Sequence, residues 1–261
     1  MSFPALFLTL ACLPGPAPCP PLPQEDAQVA DERPEVKALL GELDTHVKAK
    51  GEEDEAAISV LDKLVLEFPT SGPKDRLAIV KACSDCFDVK RTKELEEGVP
   101  DARLYLAAAV SLGEMGPESV KPLTALIGDK SHRKNQTLQV KLTLSLGKTK
   151  SPEAVKTLMG LLKHKDAPMQ SAGAEALANY SDAPEATRKL VFEELLRTMM
   201  DQKTRKDTSP ADQEVQERWN IISGPIIETL QKLTGLAESD PDKWQRWWND
   251  NKKKSWETKA G

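Results

Sequence analysis

From Pro34 onward the apolar residues fall three and four positions apart, and almost nowhere do they alternate with polar ones as a strand requires. Val36, Leu39, Leu40, Leu43 and Val47 form a first stripe, behind a proline placed for a first helical turn. Ile58, Leu61, Leu64 and Val65 form a second, ended by Pro69. Leu77, Ile79, Val80 and Cys83 mark a third after the turn at 70–73, with a helix predicted over 74–89. No segment reads as a strand, so the pattern predicts an all-α fold.

The middle of the chain then repeats itself. Residues 105–123 read YLAAAVSLGEMGPESVKPL, and residues 140–158 read VKLTLSLGKTKSPEAVKTL. Leu112-Gly113 returns as Leu146-Gly147 after 34 residues, and Pro117-Glu118 returns as Pro152-Glu153 after 35. Pro184-Glu185 follows 32 residues later, where Thr187 replaces the valine of Val120 and Val155 and only Leu190 keeps the pattern of Leu123 and Leu158. Each unit is expected to be a helix closed by a left-handed glycine, then a short turn, then a helix opened by proline with glutamate near its positive end. Apolar residues such as Leu123, Leu126 and Ile127 lie on more than one face, so a single hairpin cannot cover them without neighbours. The small side chains at 107–109 and at Ala172, Ala174, Ala176 and Ala178 permit close helix approach.

On these residues the chain resembles the HEAT-repeat family, in particular the short HEAT-like repeats of bacterial proteins, best over 101–200 and more loosely over 54–89. The TPR pattern, of similar period, lacks its Trp, Gly-Tyr and terminal Pro positions here. The resemblance implies an armadillo-like helical α-solenoid of about five stacked antiparallel hairpins, used mainly as a scaffold for protein contacts. Residues 31–100 read as degenerate N-terminal repeats, 101–200 as the regular ones, and 201–261 as an atypical last hairpin with a capping helix. In that last part 201–212 (DQKTRKDTSPAD) is expected to be a polar loop, and Gly224-Pro225 to kink or break the next helix. Asp240-Pro241-Asp242 opens a final helix carrying Trp244, Trp247 and Trp248, and this segment resembles a Trp-rich terminus of secreted bacterial HEAT proteins.

Residues 3–13 (FPALFLTLACL) have the length of a signal-peptide core and are followed by a proline-rich stretch, so 1–30 is expected to be an export leader. No Lys or Arg precedes the run, which leaves a plain apolar N-terminus as the alternative. Cys12 follows a poor lipobox, so a lipoprotein is the lesser expectation. The run is too short to span a bilayer of about 30 Å as a helix. Removing the leader removes Cys12 and Cys19 and leaves the pair Cys83 and Cys86. Their C-x-x-C spacing has no second pair for zinc and no following histidine for haem, and it is expected to be two small buried helix residues, with an oxidised pair as the alternative.

Charge narrows the partners. The 261 residues hold 36 basic and 41 acidic side chains for a formal net charge of −5, which disfavours nucleic acid as a general partner. Enzymes on HEAT-like folds offer few openings: none of His46, His132 and His164 precedes a glutamate, as a di-iron hydroxylase would need. Nucleophile elbows and phosphate-binding glycine loops are absent from the sequence, and no cofactor is expected. The acidic run 52–55 reads as favourable charge at a helix start, with calcium as its alternative.

Two features are candidate binding residues. Lys130, His132, Arg133 and Lys134 follow the second helix of one unit, and Lys163, His164 and Lys165 follow that of the next, so they are expected along one edge. They are either solvated turns or a basic strip for an acidic protein, an anionic surface or a polysaccharide. Trp244, Trp247 and Trp248 cover an arc of about 100° on a helix, and they either plug the end of the stack or form an exposed docking platform. Taken together, the sequence predicts a non-catalytic HEAT-repeat scaffold mediating protein–protein contact outside the cytoplasm, periplasmic or extracellular. The alternatives are a HEAT-like ligand-binding protein or lyase-type enzyme, and a cytoplasmic regulatory scaffold.

Overall fold

The computed structural model describes residues 31–91, 94–96 and 99–256, with the backbone alone at 94–96 and 99–100. The leader expected at 1–30, with Cys12 and Cys19, lies outside the described residues.

The body is all-helical. Eleven α-helices occur among the described residues: α1 (Pro34–Lys48), α2 (Asp54–Glu67), α3 (Pro73–Asp85), α4 (Arg103–Glu114), α5 (Val120–Gly128), α6 (Gln136–Lys148), α7 (Pro152–Leu161), α8 (Ala167–Leu177), α9 (Glu185–Thr208), α10 (Gln213–Thr234) and α11 (Pro241–Asn251). Between α3 and α4 lies one element the hydrophobic pattern did not predict, a short antiparallel pair of β1 (Glu94–Glu96) and β2 (Val99–Pro100). The helix starts follow the expected chemistry. Proline occupies the first turn of α1, α3, α7 and α11, while Asn135, Ser151, Asp212 and Asp240 accept capping hydrogen bonds from backbone N–H groups of α6, α7, α10 and α11.

Helix contacts run in two series. α2, α4, α6, α8 and α10 pack one on the next, and α5, α7, α9 and α11 do likewise on the other side, where α1 also meets α3. One continuous core results, with Leu112, Leu123, Leu142, Leu146, Leu158, Leu195 and Leu230 fully buried and Leu162 1% exposed. Each such leucine contributes about 1.5 to 3 kcal/mol through burial. A single buried hydrogen bond also ties two layers, where Thr229 Oγ1 of α10 donates to the Ala174 carbonyl of α8 at 2.9 Å.

Several expectations are corrected. Gly113 and Gly147 do not close their helices: both lie inside the last turns of α4 and α6, and the left-handed residues come three positions later, at Gly116 (φ 67°) and Lys150 (φ 51°). The two glycines instead let successive helices touch. A Cβ on Gly113 would stand 3.0 Å from Cβ of Ser145, and one on Gly147 would stand 2.6 Å from the carbonyl oxygen of Ala176. Of the polar stretch 201–212 only 209–212 is a loop, since α9 continues to Thr208 on i,i+4 contacts such as Lys203 with Asp207 at 2.9 Å. Nor does Gly224-Pro225 break α10, which runs through Pro225 to Thr234. Helix α3 ends at Asp85 rather than 89, and its Leu77, some 200° round the helix from buried Ile79, faces solvent. In the third repeat Leu190 is likewise exposed, and Val191 and Phe192 take the interior.

Candidate functional site

Three places gather side chains suited to binding, and the sequence-predicted residues are divided among them. The first is a cleft of about 570 Å³ where the turn after α7 meets α9 and α10. Lys163, His164 and Lys165 line it from the turn, Arg197 and Arg205 from α9, and Arg218 from α10. Its floor is Gln170 on α8, 4% exposed, which donates to the Leu162 carbonyl and accepts from Arg218 Nη1 at 2.7 Å. Arg218 also donates to the Lys165 carbonyl. A guanidinium so held against neutral acceptors keeps its full charge available to a ligand. Glu194 takes both Lys163 (3.3 Å) and Arg197. Burial works against its charge, but the hydrogen bonds from Arg197 and Lys163 outweigh burial and hold its carboxyl below the usual range. Lys165 and Arg205 have no carboxylate partner among the described residues. With Asp201 and Glu214 as the acidic lining and Glu194 beside it, five Lys and Arg face three carboxylates, a local excess of positive charge in a chain of net −5.

The sequence missed Arg197, Arg205 and Arg218. Positions 197, 201 and 205 lie on one helical face at i, i+4 and i+8, a pattern hidden when 201–212 is read as loop. The other half of the expected strip goes elsewhere: His132 and Lys134 line a different cavity, while Lys130 and Arg133 are exposed outside both.

That second cavity, about 690 Å³, lies between the end of α3, the start of α4 and the turn after α5. Phe87 and Tyr105 stack at 5.6 Å between ring centroids, and His132 meets them edge-on at 5.7 and 5.2 Å. The Tyr105 hydroxyl donates to the Val89 carbonyl at 2.9 Å, and His132 Nε2 lies 3.2 Å from the Phe87 carbonyl oxygen. Burial pushes the Tyr105 hydroxyl above its ordinary pKa. Arg91, 4% exposed, also lines this cavity; its guanidinium lies 5.7 Å over the Tyr105 ring and 3.5 Å from Asp54. Asp54 is thus a buried partner of Arg91, beyond the helix-start role expected for the acidic run. Behind this wall Cys83 and Cys86 are free and buried. Burial raises both thiols, Cys86 to about 12, so neither is a nucleophile at neutral pH.

The third place is the C-terminal end. Trp244 is fully buried, Trp248 is 7% exposed and Trp247 is half-buried, and all three pack on Phe192 of α9 with centroid distances of 5.1 to 5.6 Å. Trp256 completes the cluster at 5.4 Å from Phe192. Two of the three tryptophans that the alternative of an exposed platform needs, Trp244 and Trp248, are therefore already covered by this chain.

Among the described residues no helix is long and apolar enough to cross a membrane, and no group of three or more His, Cys, Asp or Glu is placed to hold a metal ion. Comparison with protein-family models, with curated proteins and with solved structures gives no match.

Proposed function

We propose that this chain is a non-catalytic α-solenoid of the HEAT type, its end capped by the Trp-bearing α11, which docks an acidic protein outside the cytoplasm. The cationic cleft carries this reading. Its charges come from three neighbouring segments on a rigid helical frame, and two of them, Lys165 and Arg205, are exposed and without a carboxylate partner among the described residues. Such a surface gains affinity and association rate from an oppositely charged partner, and both fall with ionic strength. The stacked reading draws support from the serial packing of α2, α4, α6, α8 and α10 and from the matched glycine contacts of Gly113 and Gly147. Action outside the cytoplasm draws on the apolar run at 3–13 alone.

The test begins with recovery of bound proteins from the native envelope fraction, identified by mass spectrometry. Against a recovered acidic protein, the pair Lys165→Ser and Arg205→Ser is expected to lower affinity at least tenfold at low salt and to flatten its salt dependence. Unchanged affinity and unchanged salt dependence would remove the cleft from the reading. Equal binding of an anionic polysaccharide by the unaltered protein would overturn the acidic-protein partner.

A further inference from the structure

Of the five Lys and Arg that line the cationic cleft, Arg218 is the least exposed and the most firmly held. Its Nη1 donates to Gln170 Oε1 at 2.7 Å and its Nη2 to the Lys165 carbonyl, both neutral acceptors. Gln170 is 4% exposed and is itself oriented, because its Nε2 donates to the Leu162 carbonyl and leaves Oε1 toward Arg218. The guanidinium is thus set in place without losing its charge. Arg218 Nε makes no hydrogen bond among the described residues and is not sealed from water, so a donor stays open to a ligand in the cleft.

Two more charges reach the same cleft from other sides, Lys165 from the turn after α7 and Arg205 from α9, and both are exposed. None of the three has a carboxylate partner among the described residues. Donors that converge from three segments suit a tetrahedral oxyanion, whose oxygens point in three directions, better than a carboxylate, whose two oxygens lie in one plane. The charge points the same way. With Glu194 included, the five cations exceed the three carboxylates by two, and a phosphorylated side chain brings about −1.5 to −2 at neutral pH on three strong acceptor oxygens. Asp201 and Glu214 are exposed, so solvent and salt screen their repulsion. A cleft of about 570 Å³ has room for such a side chain and the peptide that carries it.

We propose that the cleft reads a phosphorylated side chain of the acidic partner, its phosphoryl oxygens held by Arg218, Lys165 and Arg205. The proposal rests on the acidic-partner reading of the same cleft and adds the group that is recognised.

The probes are two synthetic peptides, one with a phosphoserine flanked by glutamates and one with serine in its place, titrated into the full chain by calorimetry beside inorganic phosphate. The phosphopeptide is expected to bind at least tenfold tighter than the serine peptide and than inorganic phosphate. Arg205→Gln, at an exposed position, is expected to weaken the phosphopeptide about tenfold and the serine peptide much less. Arg218→Lys keeps the charge but loses the planar fork, and it is expected to have the same selective effect. The two peptides are compared on the unaltered protein, so that result stands even where Arg218→Lys does not fold. Equal binding of the two peptides, weakened alike by salt, would overturn the phosphate and leave the acidic partner in place. Inorganic phosphate bound as tightly as the phosphopeptide would overturn it in favour of a site for the free ion. Where neither peptide binds, the proposal falls, and the pair Lys165→Ser and Arg205→Ser against the recovered protein decides the acidic partner by itself.

Discussion

The carbonyl oxygen of Ala176 lies 2.6 Å from where a Cβ on Gly147 would stand, and Cα and Cβ of Ala176 are within 2.8 Å of the same point. Helices α6 and α8 therefore meet backbone to backbone, and only glycine at 147 allows it. Gly147→Ala would force the helices apart at a cost of about 1 to 3 kcal/mol, of which the roughly 1 kcal/mol gained in helix propensity recovers only a part. Gly113→Ala, whose Cβ would stand 3.0 Å from Cβ, 3.1 Å from Cα and 3.2 Å from the carbonyl oxygen of Ser145, is expected to cost less because each approach is longer than its counterpart at Gly147. Gly160 of α7 has nothing within 4 Å of its Cβ position, so Gly160→Ala should stabilise by about 0.5 to 1 kcal/mol. Urea denaturation of the three variants checks the order, and a Gly147→Ala protein as stable as the parent would refute the close-contact account.

This pair also shows what the sequence reveals and what it conceals. The Leu-Gly signature at 112–113 and 146–147 falls in the last turns of α4 and α6, and the periodic leucines named the core, Leu146, Leu158 and Leu162 among them. The reason for the glycine was concealed, because a glycine near a helix end looks the same whether it turns the chain or admits a neighbour. Polar helices hide in a similar way. At 201–208 the stripe that signals a helix is missing because this part of α9 is held by charge, with Lys203 3.5 Å from Asp242 and Lys206 5.0 Å over the Trp219 ring. Among the residues of the cationic cleft, Lys163 to Lys165 were visible as a run, whereas Arg218 joins them from 53 positions beyond Lys165. Arg91 and Asp54 were invisible as a pair for the same reason, since nothing local couples two oppositely charged residues 37 positions apart.

Acid should loosen the C-terminal end through Glu185. Its carboxylate accepts from Lys189, from the Trp256 backbone N–H at 3.0 Å and from the Ser255 hydroxyl at 3.0 Å. The Lys189 hydrogen bond first, and then the Trp256 N–H, lower its pKa from 4.5 to about 2. A depressed carboxyl stabilises the folded state above its ordinary pKa, and that contribution fades as pH falls from 4.5 toward 2. Glu185→Gln should therefore show a lower melting temperature than the parent near neutral pH, with the gap closing over that acid window. A gap that stays constant down to about pH 2 would mean that the carboxylate charge does not hold residues 255–256 in place.

The last forecast separates a structural role for the tryptophans from a docking role. Phe192 is fully buried and touches Trp244, Trp247, Trp248 and Trp256, so it is the point through which α11 is fixed to α9. Replacing it with alanine removes a ring from the centre of that cluster and should cost about 3 to 5 kcal/mol. Because Trp244, Trp247 and Trp248 of α11 pack on Phe192, losing α11 also exposes that apolar side chain of α9. Tryptophan emission of the parent should be blue-shifted and poorly quenched by iodide, and Phe192→Ala should shift it to the red and open it to quenching. Removing residues 240–261 should lower the melting temperature sharply. If that truncation instead leaves stability nearly intact and abolishes partner binding, the tryptophans are a docking surface, and burial of Trp244 and Trp248 against Phe192 is not what keeps them in the chain.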